Sequence, residues 1–369
     1  MRKKLLDVIS AALVIMLSSF CGNMCLAGGQ NKHTDLSASG TANCYIIAEA
    51  GDYGFRADVK GNSTVSLDGT PASVRILWET DGLGKPAGNR LIRTASLKLT
   101  EGYVSFSTSR PFKDGNALIA VLDASGTVLW SWHIWLCKGF DADATAQEYA
   151  NSAGVVMDRN LGATSAATGD AGASGLHFQW GRKDPFPANC TNLAAADFVI
   201  DGADNLAFSI AYPTTFIFGT SWPFDWYCTC PENRNDELWS SVKTVYDPCP
   251  AGWQVPRGDK EGLWCTAFGN TYYDWSYAGD WDEEHKGMDF AATHNRMGSG
   301  PAIWYPAAGC RNCLSGELQG YGDQAYYWSS TPMGSYAYCL GFFYFGSTVP
   351  YGHLTRAYGL SIRCQRESR

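Results

Sequence analysis

The chain has 369 residues, of which 45% are hydrophobic, 14% aromatic and 17% charged. So many aromatic residues, with fewer charged ones than the ~25% usual in globular proteins, exclude an intrinsically disordered chain. The formal net charge of −8 argues against a general affinity for nucleic acid or for anionic membranes, because both need a basic surface. The length predicts two or three domains, and the many glycines and aromatic residues favour a β-rich protein.

The first 27 residues have the pattern of a secretory signal peptide. Basic residues at positions 2–4 precede an apolar run from Val8 to Phe20, and small residues follow up to Ala27. The run is shorter than the ~20 residues that a membrane span needs. The sequence therefore predicts export, to the outer membrane or cell surface. Lipidation of Cys21 or Cys25 is an alternative that would add a membrane anchor.

Thirteen cysteines in an exported chain raise the question of disulfide bonds. The closest pairs are Cys228-x-Cys230 and Cys310-x-x-Cys313, but the spacing of a zinc ribbon is missing. We therefore expect buried thiols with one or two disulfide bonds, and no metal site.

Residues 31–137 are predicted to form an immunoglobulin-like β-sandwich. Apolar residues alternate with polar ones around Phe55 and around Ile76, and apolar runs lie at 103–106, 117–122 and 128–135. About seven short strands separated by turn residues are typical of a sandwich. The glycines of 82–88 lack the spacing of a phosphate-binding loop, so they are interpreted as an ordinary loop.

Residues 138–369 differ in composition from the first half, with many Trp, Gly and Pro residues and few helical patterns. The best helix candidate is Arg257–Phe268, directly after Pro256. Scattered short strands joined by long loops predict an α+β domain whose core depends on tryptophan packing.

Five ordered segments of this second half resemble the Fibrobacter succinogenes major paralogous domain family, which is related to C-type-lectin-like and formylglycine-generating-enzyme-like folds. They are Val156–Ala163, Phe178–Phe186, Asp247–Pro256, Tyr327–Thr331 and Gly359–Cys364. The resemblance covers roughly residues 150–369 and implies a C-type-lectin-like fold. It also implies a surface protein of Bacteroidetes-type bacteria.

The segment 329–366 is similar to the variable region of a protein diversified by a diversity-generating retroelement. Such elements replace adenines at Asn codons, and the products do not include Gln, Lys, Met, Trp or Glu. In the window from Met333 to Tyr358, only Met333 of 26 residues belongs to that set. Five Tyr and four Gly within this window match the composition of antibody paratopes.

Alternation within the window predicts a structural frame and an exposed surface. Leu340 and Phe342 are expected to face inward, with Cys339 and Gly341 facing outward. The other frame residues are Ala337, Val349, Pro350, Arg356 and Gly359. The predicted ligand-binding surface consists of the residues between them: Gly334, Ser335, Tyr336, Cys339, Gly341, Tyr344, Gly346, Tyr351, Gly352, His353, Leu354, Thr355, Ala357 and Tyr358. The alternative is an ordinary aromatic β-hairpin of the core.

Other motifs give weaker chemical signals. The Glu-Pro-Asn, Gln-Pro-Asp and Trp-Asn-Asp motifs of calcium-dependent lectins are missing, so no calcium lectin is predicted. Residues 283–285 and His294 lack the spacing of a metal motif, and Cys310 and Cys313 lack an activating partner in sequence. The pairs Trp222 with Trp226 and Trp275 with Trp281 are predicted to be core residues, with sugar-stacking platforms as the alternative.

We therefore predict a cell-surface binding protein without catalytic residues and without a cofactor. Its ligand would be an unknown protein or glycan on another cell, a host or a phage. No nucleic acid is expected as a partner, and contact with a membrane is expected only through a lipid anchor. A glycan-processing or sulfatase-modifying enzyme and a structural fimbrial subunit are the alternatives.

Overall fold

The structure is a computed structural model that describes residues 33–88, 90–149, 152–187, 194–196, 201–268, 279–290 and 303–368. For residues 194–196 only the backbone is described. The described chain is mostly β-sheet, with two short helices, α1 (Gly202–Ala211) and α2 (Leu263–Phe268). The prediction of a β-rich fold is confirmed. His33–Arg369 forms one compact unit. The predicted signal peptide at 1–27 lies outside the described residues.

Two four-stranded sheets are built from the first half of the chain. Their strands are β1 Thr34–Asp35, β2 Cys44–Ile47, β3 Asp52–Arg56, β4 Ser73–Asp81, β5 Lys98–Thr100, β6 Tyr103–Ser107, β7 Gly115–Leu122 and β8 Val128–Leu136. One sheet has the order β1-β3-β6-β5 and the other β2-β8-β7-β4. Pairing is antiparallel except for β1 with β3 and β2 with β8.

The two sheets face each other across an aromatic core. The ring of Phe55 on β3 lies 5.0 Å from Tyr45 and 5.1 Å from Trp132, which belong to the opposite sheet. Val104 and Phe106 alternate with partly exposed residues along β6, as expected for a strand with one buried face. The sequence pattern of alternating apolar residues thus marks the inner faces of the two sheets.

The other face of β7 and β8 is covered by the second half of the chain. Ser131 Oγ donates to Asp184 Oδ1 at 2.6 Å, and Asn116 Nδ2 donates to the Gly162 carbonyl at 2.9 Å. Trp135 Nε1 donates to the Ala163 carbonyl at 3.0 Å. Every residue of β7 is buried, because this sheet is packed on both sides. The first half is therefore fixed to the second by buried hydrogen bonds.

The second half contains many short strands. They are β9 Gln147–Tyr149, β10 Gly154–Val156, β11 Leu176–Gln179, β12 Phe186–Pro187, β13 Ala194–Ala196, β14 Thr215–Ile217, β15 Trp253–Gln254, β16 Asp280–Asp282, β17 Gly287–Asp289, β18 Trp304–Pro306, β19 Cys310–Arg311, β20 Leu318–Gln319, β21 Gln324–Met333, β22 Tyr336–Phe343, β23 Thr348–Thr355, β24 Gly359–Ser361 and β25 Gln365–Arg366. The largest sheet has the order β12-β11-β24-β21-β22-β23, with β19 and β20 attached to β24. The smaller sheets are β15-β25-β10-β9, β16-β17-β18 and β13-β14.

The five segments that carry the family resemblance are largely buried and hold this half together. The Asp247 carboxylate accepts the backbone N–H groups of Cys249 and Val255 at 2.8 and 2.9 Å. Cys249 forms a disulfide bond with Cys364, which joins the third segment to the fifth. The buried Arg363 guanidinium lies 3.7 Å above the Tyr305 ring. The residues of these five segments therefore stabilise the packing of the second half.

The helix and the cysteines of this half can be compared with their predictions. The helix predicted over Arg257–Phe268 is wrong in its first half, because only Leu263–Phe268 is helical. A turn precedes it, in which the Gly262 N–H donates to the Asp259 carbonyl at 2.9 Å. Among the described cysteines there is one disulfide bond and eight free thiols, seven of them buried, which matches the expectation of buried thiols with one or two disulfide bonds.

Candidate functional site

The antiparallel ribbon β21–β22–β23 carries most of the predicted binding surface. Gly334 and Ser335 form the tight turn between Met333 and Tyr336, which pair directly. The second turn, after Phe343, contains Gly346. Gly334 and Gly346 have φ angles of +56° and +81°, in the region that favours glycine, so turn geometry accounts for these two predicted site residues.

Four aromatic side chains share one face of β22 and β23. Tyr338 lies directly opposite His353 in the register, and Tyr336 and Tyr351 are two residues away on their own strands. The rings of Tyr336 and His353 are 5.2 Å apart, and those of Tyr338 and Tyr351 are 6.4 Å apart. His353 is exposed and the three tyrosines are partly exposed. We call these four residues the ring ladder.

The predicted orientation of Cys339 and Gly341 is wrong. Both are buried, and so are Leu340 and Phe342 between and beside them. Cys339 belongs to one hydrophobic cluster and the neighbouring Leu340 to another on the opposite face. β22 is an inner strand of the sheet with packed layers on both sides, so alternation could not separate an inner from an outer set there.

The remaining predicted site residues differ in their exposure. Ser335 and Ala357 are buried, and Ala357 packs in the same cluster as Cys339, so their expected exposure is also wrong. The exposed ones are Gly334, Tyr344 and His353; those partly exposed are Tyr336, Gly346, Tyr351, Gly352, Leu354, Thr355 and Tyr358. Leu354 and Tyr358 pack against the buried cluster. Of the predicted frame, only Val349 is not fully buried.

The sequence prediction leaves Tyr338 out of the binding surface and assigns Trp222 to the core, with a sugar-stacking platform as the alternative. Tyr338 has the same strand parity as Tyr336, which would have identified it once Tyr336 was placed on an open face. Trp222 comes from a distant loop, and its ring lies 6.0 Å from that of Tyr336. Its residue exposure is 54%, whereas Trp226 is fully buried. The core prediction is therefore right for Trp226 and wrong for Trp222.

Arg356 fixes the position of the ribbon beneath the ring ladder. Its guanidinium donates to the carbonyl of Gly334 at 2.7 Å and to that of Tyr336 at 3.3 Å, and it pairs with Asp236. It also lies 4.3 Å from the centre of the Trp180 ring. A planar group with five donors can hold several carbonyls at once, which explains why a buried arginine occupies this position.

Asp225 lies 4.0 Å from the same guanidinium and is fully buried. Burial raises the pKa of this carboxyl to about 6, and the nearby Arg356 opposes the rise. Its Oδ1 accepts the Tyr227 N–H at 2.9 Å. This carboxyl therefore titrates inside the fold and is not available to a ligand.

A second aromatic group lies at the other end of β22. Phe343 and Phe345 stack with ring centres 5.3 Å apart and nearly parallel planes, and Tyr344 meets Phe345 edge to face. Phe345 is 64% and Tyr344 is 59% exposed. The exposed aromatic surface of the segment thus has two ends, the ring ladder and this turn.

Three buried side chains are hydrogen-bonded in the order of a cysteine-nucleophile triad: Cys44, His133 and Asn116. Cys44 Sγ lies 3.2 Å from His133 Nδ1, and His133 Nε2 lies 2.8 Å from Asn116 Oδ1. All three are buried; burial raises the pKa of the Cys44 thiol and lowers that of His133 to about 3. Both shifts favour the neutral pair over the thiolate and imidazolium that nucleophilic attack needs. We interpret these three residues as a structural link from β2 through β8 and β7 to Gly162.

The other cysteine and acidic candidates are also accounted for by packing. Burial raises the pKa of Cys310 to about 12 and also raises that of Cys313. Residues 283–286 form an exposed turn in which His285 Nδ1 lies 2.7 Å from Asp282 Oδ2, while His294 and Trp275 lie outside the described residues. Within the described ranges, no group of three or more metal-ligating side chains is present.

A shallow pocket of about 410 Å³ lies at the contact between the two halves, lined by Phe140, Asp141, Asp143 and Trp253 among others. Asp141 Oδ1 accepts the N–H groups of Asp143 and Ala144, and Asp143 pairs with Arg366 at 2.8 Å. Its carboxylates are thus already partnered within the chain.

Comparison of the chain with models of protein families, with curated proteins and with solved structures found no match. Neither of the helices in the described part of the chain is long and apolar enough to cross a membrane. The ring ladder, with Trp222 beside it, is the best-supported candidate site, and it offers contact chemistry.

Proposed function

We propose that the protein is an exported cell-surface binding protein that displays a retroelement-diversified surface on a C-type-lectin-like domain. The first half would be the immunoglobulin-like sandwich predicted from its strand pattern. The ligand would be a protein or glycan on another cell, a host or a phage. Aromatic contact, without a chemical step, would be the mechanism.

One observation carries this proposal: the ring ladder is open on one face, while the opposite face of β22 is buried. Ala337 and Cys339 alternate with Tyr336 and Tyr338, and they pack in the core. Tyrosine offers a large contact area at a low cost in side-chain entropy, as in antibody paratopes. Replacements on the open face would change contacts without changing the core.

The edge of β23 supports contact through side chains instead of strand addition. β23 is the last strand of its sheet, and it contains Pro350, which has no N–H to donate. The pairing of β22 with β23 shifts register between Cys339 and Gly341, so the strand carries a bulge there. Proline and a bulge both discourage a partner strand from joining an edge.

The test is to sequence the encoding locus and its flanks in several isolates of one lineage. We expect a reverse transcriptase gene and a near-copy of the 3′ end with adenines at variable codons. Because the ring ladder lies on the open face, we expect the variable codons to be those of Tyr336, Tyr338, Tyr351 and His353. It should spare Ala337, Arg356 and Ala357, whose side chains are buried.

Two results would contradict the proposal. A locus without these elements and with a fixed 3′ end would remove the basis for a diversified surface. Variation spread equally over buried and exposed codons would show that the ring ladder is not the diversified face.

A further inference from the structure

We propose that Trp222 is a fixed stacking platform for a neutral pyranose sugar, completed by Tyr336 and His353 of the ring ladder. The inference rests on the proposed binding function and assigns its ligand to glycans. Trp222 lies outside the segment 333–358, so it would contribute the same contact whatever residues the ring ladder carries.

Trp222 is unusually exposed for a tryptophan of this chain. It is the only exposed tryptophan among the thirteen that the structure describes, with 54% of its surface accessible. Its neighbours Phe224 and Tyr336 meet it at interplanar angles of 86° and 61°, so neither stacks parallel to the indole. Keeping so large an apolar ring in water is unfavourable, and exposed apolar patches such as the one that Trp222 forms with Tyr336 commonly mark binding sites.

The loop that carries Trp222 is held in place by backbone hydrogen bonds before any ligand binds. The Phe224 N–H donates to the Ser221 carbonyl, which closes a tight turn around Trp222. The loop is tied on both sides to the ribbon and its supports: the Gly219 N–H donates to the Cys313 carbonyl at 2.9 Å, and the Phe224 carbonyl accepts from the Ala357 N–H at 3.3 Å. A pre-ordered ring loses little conformational freedom on binding.

The described surroundings of Trp222 offer no charged side chain to a ligand. In the described part of the chain, no salt bridge or cation–π contact involves the side chain of Trp222, Tyr336 or His353. Arg356, whose guanidinium donates to the Tyr336 carbonyl, is buried and paired with Asp236. With a net charge of −8, the chain offers little attraction to an acidic sugar. The site therefore favours an uncharged ligand.

A pyranose ring combines the two chemistries that this cluster offers. The C–H groups on one face of the sugar can pack on the indole, whose face carries partial negative charge. The Tyr336 hydroxyl and the His353 imidazole provide nearby polar groups for sugar hydroxyls. One indole with two smaller rings matches one or two sugar units, whereas a stable protein interface buries about 800 Å² on each partner.

The experiment applies the mature chain to an array of neutral and sialylated oligosaccharides and measures dissociation constants for the neutral methyl glycosides that bind. Trp222→Ala should weaken binding at least tenfold, and Trp222→Phe, which keeps a ring, should weaken it less. Tyr212→Ala is the matched control, because Tyr212 is equally exposed at 55% and lies outside the cluster. It should bind as the wild type does, and circular dichroism should show all three variants folded.

Failure to bind any neutral glycan would overturn the inference, as would equal affinity of Trp222→Ala and the wild type. A preference for sialylated glycans would contradict the charge argument. The proposed function would survive these results if isolates still vary at the ring ladder, and the ligand would then be a protein. If the ring ladder does not vary between isolates but glycan binding still needs Trp222, the protein is a lectin with a fixed specificity. The inference about Trp222 would then stand, and the proposal of a diversified surface would fail.

Discussion

The disulfide bond between Cys249 and Cys364 should contribute a large part of the stability of the described fold. The two cysteines are separated by 115 residues, and closing a loop of that length removes about 4.8 kcal/mol of chain entropy from the unfolded state at 25 °C. Globular proteins are stable by only about 5–15 kcal/mol, so reduction of this bond should remove roughly a third to nearly all of the stability.

The assay is urea unfolding followed by tryptophan fluorescence, with and without dithiothreitol. Most of the tryptophans are buried, so unfolding will change their emission strongly. We expect the reduced wild type to lose about 4.8 kcal/mol of unfolding free energy relative to the oxidised protein. The double variant Cys249→Ala/Cys364→Ala should be insensitive to the reductant, because it has no such bond to lose.

The matched control is Cys310→Ala/Cys313→Ala, which removes two buried free thiols and keeps the disulfide bond. It should respond to the reductant as the wild type does. The reasoning fails if the wild type is equally stable under both conditions. It also fails if Cys249→Ala/Cys364→Ala still responds, because another cysteine pair would then supply the effect.

Three further predictions concern groups around the ring ladder. The pKa of Asp225 is about 6 in the fold and ~3.9 when unfolded, so its proton stabilises the fold below pH 4 and this contribution is lost as pH rises through 6. The unfolding free energy of Asp225→Asn minus that of the wild type should therefore rise by roughly 2 kcal/mol between pH 4 and pH 7, and a constant difference would contradict the shift. Trp226→Ala should cost roughly 3–5 kcal/mol because it empties a buried site, whereas Trp222→Ala should cost under about 1 kcal/mol, and equal losses in urea unfolding would show that Trp222 is a core residue. Arg356→Lys should cost roughly 3 kcal/mol, because an ammonium cannot replace the forked contacts to Gly334, Tyr336 and Asp236; unchanged stability and unchanged amide exchange at Tyr336 would count against this anchoring role.

Strands β3, β4 and β6 could be predicted because their residues alternate between a more buried and a more exposed face. Phe55 lies on β3, Ile76 on β4 and Phe106 on β6, where alternation had placed strands. β7 and β8 were visible as apolar runs, although the reason for the run appears only in the structure: the second half covers their other face. Sequence alone did not show that this covering makes the first half part of one compact unit.

The second half was less predictable because much of its order is long-range. Its strands are often two or three residues long, and a two-residue strand such as β19 leaves no periodic signal. The first half shows the same limit at Cys44, His133 and Asn116, since residues 89 and 17 positions apart meet only after the sheet forms. Motif spacing could not reveal this contact, nor that burial favours the neutral forms of the Cys44 thiol and the His133 imidazole.

The wrong orientation predicted for Cys339 and Gly341 on β22 has a physical cause that also bears on the proposed function. Cys339 and Leu340 are both apolar and both buried, so the central part of the strand gives no sign of which side is open. The side is decided further along, where Tyr336 and Tyr338 extend the Leu340 face beyond the packed layer. A strand that is buried at its centre and open at one end has a fixed register and a replaceable surface. For a diversified binder this arrangement is necessary, because changes at the open end would leave the core and the Arg356 anchor unchanged, and the same argument makes Trp222 the place where a constant contact can be kept.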